Sequence, residues 1–366
     1  MNSERRHGAD PYRASRHYGI DAADFLDFST NVNPLGPPAS ALDAARQALV
    51  RADRYPDPLN EALKQALTGF CGVPAERLFV GNGSTELIYH LLLALAPARV
   101  CVAGSHFSEY AAAARACGSE LTTLAWEAEA EFEPDMLQLQ YAAETCDVLF
   151  VCNPGTPHGH LYPRAQLMPA LEACRRSGAL FVTDESFLGF CPPEARSAAT
   201  LVPELDGGNL AVLSTVTKLF ALAGLRGPGY LACDEGLRRR LETTTPPWRV
   251  NVVAEAAALA AMQDLGYRER TLLAIPAWRR ELTAGLARLA DFRIFPSEVN
   301  YVLLRLPEPQ QGTALVEGLA HRGILVRNCS DFTGLDTRFV RVAVRPPDEI
   351  ERLLASMEET IDELKG

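Results

Sequence analysis

An α/β fold with a large, mostly parallel sheet and a smaller α+β C-terminal part is predicted by three features of this 366-residue sequence. Short apolar runs ending in polar or turn residues recur from about residue 60, and stretches with helical spacing separate them. From about residue 254 this alternation gives way to a long helical region followed by isolated strands. Continuous apolar runs suit strands covered on both faces, and alternating strands and helices place ligands beyond the carboxyl ends of the strands.

Taken in order, "NEALKQALTGFCG" (60–72) has helical spacing and stops at a glycine. "LFVGNG" (78–83) reads as a strand entering a turn, and "STELIYHLLLALA" as a long helix with Ser84 or Thr85 near its start. "RVCVAG", "DVLFVCNP", "ALFVTDE" and "LAVLSTV" are four further strands, with "YAAAARACG" and "RAQLMPALEACRRSG" as helices between them. Residues 254–290 read as one helical region. "FRIFPSEVNYVLLRL", a helix near 312–322, "ILVRNCS", "RFVRVAVR" and a terminal helix follow. This divides the chain into an N-terminal segment (1–35), a large domain (36–253) and a small C-terminal domain (254–366). The first segment has no core of its own and is expected to pack on the small domain or over the cleft.

Composition narrows the function. A net charge of -11 and the lack of a basic run interleaved with aromatics argue against a nucleic-acid surface. The start, "MNSERRHGADPYRASRHYG", has no apolar core of a secretory signal. The longest apolar run is interrupted by Pro97 and Arg99 and is too short for a bilayer. Nine cysteines without a CxxC pair point to free thiols, and so to a cytoplasmic protein.

The ends of the predicted strands hold the chemistry. "GNGSTE" (81–86) places glycines and hydroxyls at a helix start, where backbone N–H groups face an anion. Asp184, after "ALFVT", is a carboxylate suited to a pyridinium nitrogen that must stay protonated. Lys218 follows Ser214, Thr215 and Thr217, a setting for a lysine of lowered pKa that attacks an aldehyde. Arg226, eight residues on, is a counter-charge for a phosphate. His158 and His160 lack convergent acids or cysteines, so no metal site is read there. Arg238 to Arg240 read as a solvated helix face, and Trp248 and Trp278 as packing residues.

The order of these features resembles the fold-type I pyridoxal-phosphate enzymes of the histidinol-phosphate aminotransferase subfamily. Within it, the L-threonine-O-3-phosphate decarboxylases of cobalamin synthesis are the most similar branch. The resemblance covers nearly the whole chain through "HGAD", "DFSTNVNPLGPP", "RYPDP", "GNGSTE", "DESFLGF", "STVTKLFALAGLRGPGY" and "ILVRNCSDFTGLDTRFVRVAVR". It implies that Lys218 bonds pyridoxal 5′-phosphate and that Asp184 pairs with the ring nitrogen. Gly83, Ser84, Thr85, Thr215 and Arg226 would hold the cofactor phosphate. Tyr55 would reach the phosphate of a neighbouring subunit, which implies a homodimer with shared sites. Phe107 would stack on the ring, with Tyr110 close enough to compete. Asn31, Arg327 and Arg341 match positions that contact substrate carboxylate and phosphate, and His7 and Gly8 match a segment that closes on substrate.

Three departures stand out. Thr156 in "CNPGTPHGH" takes the place of an asparagine that bonds the phenolic oxygen of the cofactor. Phe187 replaces the tyrosine that aminotransferases place three residues after the paired aspartate, a change usual in the decarboxylase branch. Ala9 replaces a glycine and lacks its access to positive φ. The implied reaction is decarboxylation of an O-phosphorylated amino acid, L-threonine O-3-phosphate to aminopropanol phosphate for cobalamin synthesis. The alternatives are an aminotransferase of histidinol-phosphate type and a serine-phosphate decarboxylase.

Overall fold

The computed structural model describes Gly8 and residues 10–365. Its strands, in chain order, are β1 (Leu26–Asp27), β2 (Leu78–Gly81), β3 (Arg99–Ala103), β4 (Glu120–Leu124), β5 (Val148–Cys152), β6 (Leu180–Asp184), β7 (Leu210–Thr215), β8 (Gly229–Ala232), β9 (Arg293–Ile294), β10 (Tyr301–Arg305), β11 (Ile324–Leu325), β12 (Arg327–Asn328) and β13 (Phe339–Ala343). Seven of them form the large sheet in the order β2-β8-β7-β6-β5-β3-β4. β8 runs antiparallel to both of its neighbours, while the pairs from β7 to β4 are parallel. The sheet is therefore mostly parallel, as predicted.

Strand periodicity divides the apolar runs between two cores. Val148 and Phe150 of β5 pack on one face with Leu87 and Leu91 of the helix Gly83–Leu95. Leu149 and Val151 pack on the other face with Leu167 and Leu171 of the helix Arg164–Ser177. Removing one such side chain from water is worth about 1.5–3 kcal/mol, so the central strands are firmly fixed. Their carboxyl ends then sit on a rigid base, and Asp184 and Thr215 are the last residues of β6 and β7.

The C-terminal part carries a four-stranded antiparallel sheet, β12-β13-β10-β9. The run "ILVRNCS" is not one strand. Its first half, β11, pairs in parallel with β1, whereas its second half, β12, pairs with β13. The backbone switches sheets at Val326 and so ties the N-terminal segment to the C-terminal sheet. Residues 254–290 are likewise divided, into the helices Val252–Gln263 and Leu265–Leu289. Asp264 interrupts them because its carboxylate accepts the Tyr267 N–H and starts a new helix. Trp248 is not a packing residue. It is 45% exposed and stacks on Tyr55, with ring centroids 4.4 Å apart. Among the described residues no helix is long and apolar enough to cross a membrane.

Candidate active site

The loops at the strand ends enclose a cavity of about 500 Å³, into which Lys218, Asp184, Arg226, Arg327 and Arg341 all face. Lys218 lies in the one-turn helix Val216–Leu219 directly after β7. The Thr215 hydroxyl caps that turn, accepting the Thr217 N–H at 3.1 Å and donating to the Pro228 carbonyl at 2.9 Å. The Thr217 hydroxyl donates to the Gly227 carbonyl at 2.7 Å. Thr215, expected to hold the cofactor phosphate, lines the cavity, and its hydroxyl bonds within the lysine turn. Burial, then the positive charge of Arg341, and also that of Arg226, lower the Lys218 pKa to about 8, while Asp184 opposes them. An amine so tuned is a competent nucleophile near neutral pH.

Asp184 is buried at the cavity wall. Its Oδ1 accepts the Ser186 N–H at 2.9 Å and its Oδ2 accepts the Tyr110 hydroxyl at 2.6 Å. Burial pushes its carboxyl above the usual range, against bonds from Ser186 and Tyr110 and the Lys218 charge. Both aromatics named as stacking candidates line the cavity: Tyr110 is buried, stacked on Phe150 and engaged with Asp184, and Phe107 meets Tyr110 edge-on. The neighbouring acid, Glu185, points elsewhere. It accepts the Thr200 hydroxyl and the Leu201 N–H at 2.7 and 2.8 Å, and burial raises its pKa to about 7.

An anion cradle forms where β2 enters its helix. Gly83 is the first residue of the helix Gly83–Leu95 and has φ 73°. A Cβ there would lie 3.4 Å from Arg226 Nη2. Gly229 approaches so closely that its Cβ would lie 2.6 Å from the Gly83 carbonyl carbon. Arg226 itself has φ 56°, and its Nη2 donates to the Asn82 carbonyl at 3.3 Å. Free helix N–H groups, Ser84, Thr85 and one arginine at the mouth are what a phosphate monoester requires. The cradle, the lowered-pKa amine and the buried carboxylate together fit pyridoxal 5′-phosphate.

The remaining cavity wall comes from the C-terminal sheet and the N-terminal segment. Arg341 Nη1 donates to Thr156 Oγ1 at 3.2 Å and Nη2 to the Ser29 carbonyl at 3.1 Å. Both acceptors are neutral, and the buried Arg341 Nε has no hydrogen-bond partner among the described residues. The same is true of Asn31 Oδ1. Buried polar atoms left open at a cavity are where a ligand belongs. Phe187 packs edge-on against Tyr301, with Lys218 Nζ 5.9 Å from its ring centroid. Tyr55 is 79% exposed and is not among the residues lining this cavity. His7 and Ala9 lie outside the described residues. His158 stacks on Phe132 in the core and His160 pairs with Glu133.

Gly8 also lines the cavity, and a Cβ on it would fall 2.4 Å from the Ser29 carbonyl oxygen that Arg341 holds. Gly8→Ala is therefore expected to push the N-terminal segment off Ser29. Ligand binding should weaken by about 1–2 kcal/mol, with little change in melting temperature. Calorimetric titration of the variant with inorganic phosphate and a melting curve check this together.

Sequence reasoning did not single out Asp331 or the Tyr110–Asp184 bond, although both groups line the cavity. Thr217 was noted only as a neighbour of Lys218.

Residues 23–357 match the family described as aminotransferase class I and II. The chain is 33% identical over 357 residues to a threonine-phosphate decarboxylase of Salmonella typhimurium, covering 96% of this chain and 95% of that protein. It is 31% identical over 344 residues to a histidinol-phosphate aminotransferase of Methanosarcina mazei, covering 93% and 89% respectively. The crystal structure of histidinol-phosphate aminotransferase from Sinorhizobium meliloti in complex with pyridoxal-5′-phosphate superposes with a TM-score of 0.87 at 25% identity. That match covers 97% of this chain and 95% of the other.

Proposed function

The chain belongs to the aminotransferase class I and II family, and on that premise we propose that it decarboxylates an O-phosphorylated amino acid. The substrate is L-threonine O-3-phosphate and the product aminopropanol phosphate, destined for cobalamin synthesis. Pyridoxal 5′-phosphate is the cofactor. The observation that carries the reading is the convergence of Arg327 and Arg341 on the cavity that holds Lys218. With Arg226 assigned to the cofactor phosphate, two guanidinium groups remain for the two anionic groups of the substrate. Phe187 bears on the reaction type, because it puts a ring without a hydroxyl where aminotransferases of this resemblance carry tyrosine.

When bound, the cofactor supplies an aldehyde for the substrate amine and a conjugated ring that accepts the electrons of the breaking Cα–carboxylate bond. The protein supplies the rest. Asp184, held by Tyr110 and Ser186, would pair with the ring nitrogen and favour its protonated form. Gly83, Ser84, Thr85 and Arg226 would hold the phosphate, and Phe107 would stack on the ring. Arg341 and Arg327 would bind the two anionic groups of the substrate and so fix its orientation in the cavity. Lys218, with a pKa near 8, takes up and returns protons at Nζ.

Carbon dioxide release from L-threonine O-3-phosphate, L-serine O-phosphate and unphosphorylated L-threonine, with and without a 2-oxo acid, tests the proposal. Release from the phosphorylated threonine without a 2-oxo acid is expected. Amino-group transfer to the 2-oxo acid, with no carbon dioxide from any substrate, would replace the decarboxylase by the aminotransferase.

The active unit is a homodimer in which Tyr55 reaches the cofactor phosphate of the second subunit. In support, Tyr55 and Trp248 form an exposed aromatic stack outside the cavity of their own chain. Tyr55→Phe should weaken cofactor retention by about 1 kcal/mol, the net worth of one hydrogen bond. Sedimentation giving a fully active monomer would refute the shared site. All nine cysteines are free thiols, which supports a reducing, cytoplasmic setting.

A further inference from the structure

We propose that Asp331 is a resident counter-anion at Arg327, which the distal anion of the substrate must displace, and that it thereby sets substrate specificity. The proposal takes from the reading above only that the ligand carries a phosphate. Arg327 Nη2 donates to both carboxylate oxygens of Asp331, at 2.8 and 2.7 Å, and both residues line the cavity. A carboxylate in this position occupies donors that a phosphate of the ligand needs.

Arg327 is also held by groups other than Asp331. Its Nη1 donates to the Asn328 carbonyl at 2.7 Å, and its guanidinium lies 5.2 Å from the Phe332 ring centroid. The two partners also differ in freedom: the Arg327 side chain is 9% exposed and that of Asp331 31%. The carboxylate is the partner with room to leave.

The reason for such a pair lies in the sheet. Arg327 and Arg341 face each other across β12 and β13 as direct partners in register. Like charges directly opposite one another on a sheet are destabilising. Asp331 offsets that repulsion while the cavity holds no distal anion. A substrate bearing both carboxylate and phosphate neutralises the two arginines itself, and Asp331 then becomes a surplus negative charge beside a dianion. An amino acid with no distal anion leaves the Arg327–Asp331 pair closed. The cavity thus discriminates by an exchange of anions at Arg327.

Asp331→Asn keeps the shape and removes the charge. In the holoenzyme, where the cofactor fills the phosphate cradle, inorganic phosphate should bind this variant about tenfold more tightly than wild type. Asp331→Glu, which keeps the charge, should bind it as weakly as wild type, and the smaller Asp331→Ser should follow Asp331→Asn. In turnover, Asp331→Asn should lower KM for L-threonine O-3-phosphate by a larger factor than KM for L-threonine. Unchanged or weaker phosphate binding by both neutral variants would overturn the proposal and make Asp331 a support for Arg327. Calorimetry with phosphate reads this whether or not the enzyme releases carbon dioxide, so it is separable from the decarboxylase reading.

Discussion

Lys218→Ala is expected to cut turnover of L-threonine O-3-phosphate on the order of a thousandfold or more, because among the described residues lining the cavity no other carries an amine. The fold should survive, since the turn that carries Lys218 is held by the hydroxyls of Thr215 and Thr217 rather than by the lysine side chain. Borohydride reduction of the holoenzyme followed by peptide mapping should find the pyridoxyl group on Lys218. Label on another lysine would overturn the assignment. The lowered pKa adds a dependence on pH. Below about 8 the amine is mostly protonated, and each further unit down removes about nine-tenths of the reactive free base. Capture of pyridoxal phosphate by cofactor-free protein should therefore accelerate as pH rises toward 8 and level off above it. A rate still climbing steeply beyond pH 10 would mean that the lysine keeps its ordinary pKa.

What the sequence made legible follows from burial. β5, β6 and β7 are covered on both faces, so each appears as an unbroken apolar run, and the chemistry falls at the ends of such runs. Asp184 and Lys218 were readable for that reason. β4, "ELTTL", lies at the sheet edge with much of its surface exposed, so its residues need not be apolar and it went unread. β8 was hidden differently: its four residues follow a proline and insert antiparallel between β2 and β7, a pairing no local pattern encodes.

The site divides along similar lines. The Tyr110–Asp184 bond joins residues 74 apart in sequence, and it exists only because β3 and β6 lie either side of β5. Asp331 is four residues from Arg327, but not on a helix, so the spacing carries no prediction of contact. Arg341 appeared as one charge in an alternating strand. Only the sheet register shows it opposite Arg327, and only the N-terminal segment supplies the Ser29 carbonyl that it binds.

Arg341 is the residue for which function and stability should part most clearly. Its guanidinium is buried, and the two acceptors it holds, Thr156 Oγ1 and the Ser29 carbonyl, carry no charge. Burial pushes its pKa below the usual guanidinium value, with Arg327 adding to the effect. A buried cation that lacks a bonded anion costs stability, and an apolar side chain of similar volume is often as stable or more so. Arg341→Leu should therefore leave the melting temperature of the protein unchanged or raise it. Turnover should move the other way. A bidentate guanidinium fixes the plane of the substrate anion, and losing that orientation costs about 3–4 kcal/mol, roughly a hundredfold to a thousandfold in kcat/KM. Arg341→Lys keeps the charge but loses the planar fork, so it should recover only part of the loss. Cofactor binding should change little in either variant, because the phosphate cradle at Gly83 and Arg226 is built from other elements. The measurements are melting curves, cofactor titration, and carbon dioxide release from L-threonine O-3-phosphate. A variant that melts several degrees lower, yet turns over normally per folded molecule, would make Arg341 a structural residue and remove it from the substrate site.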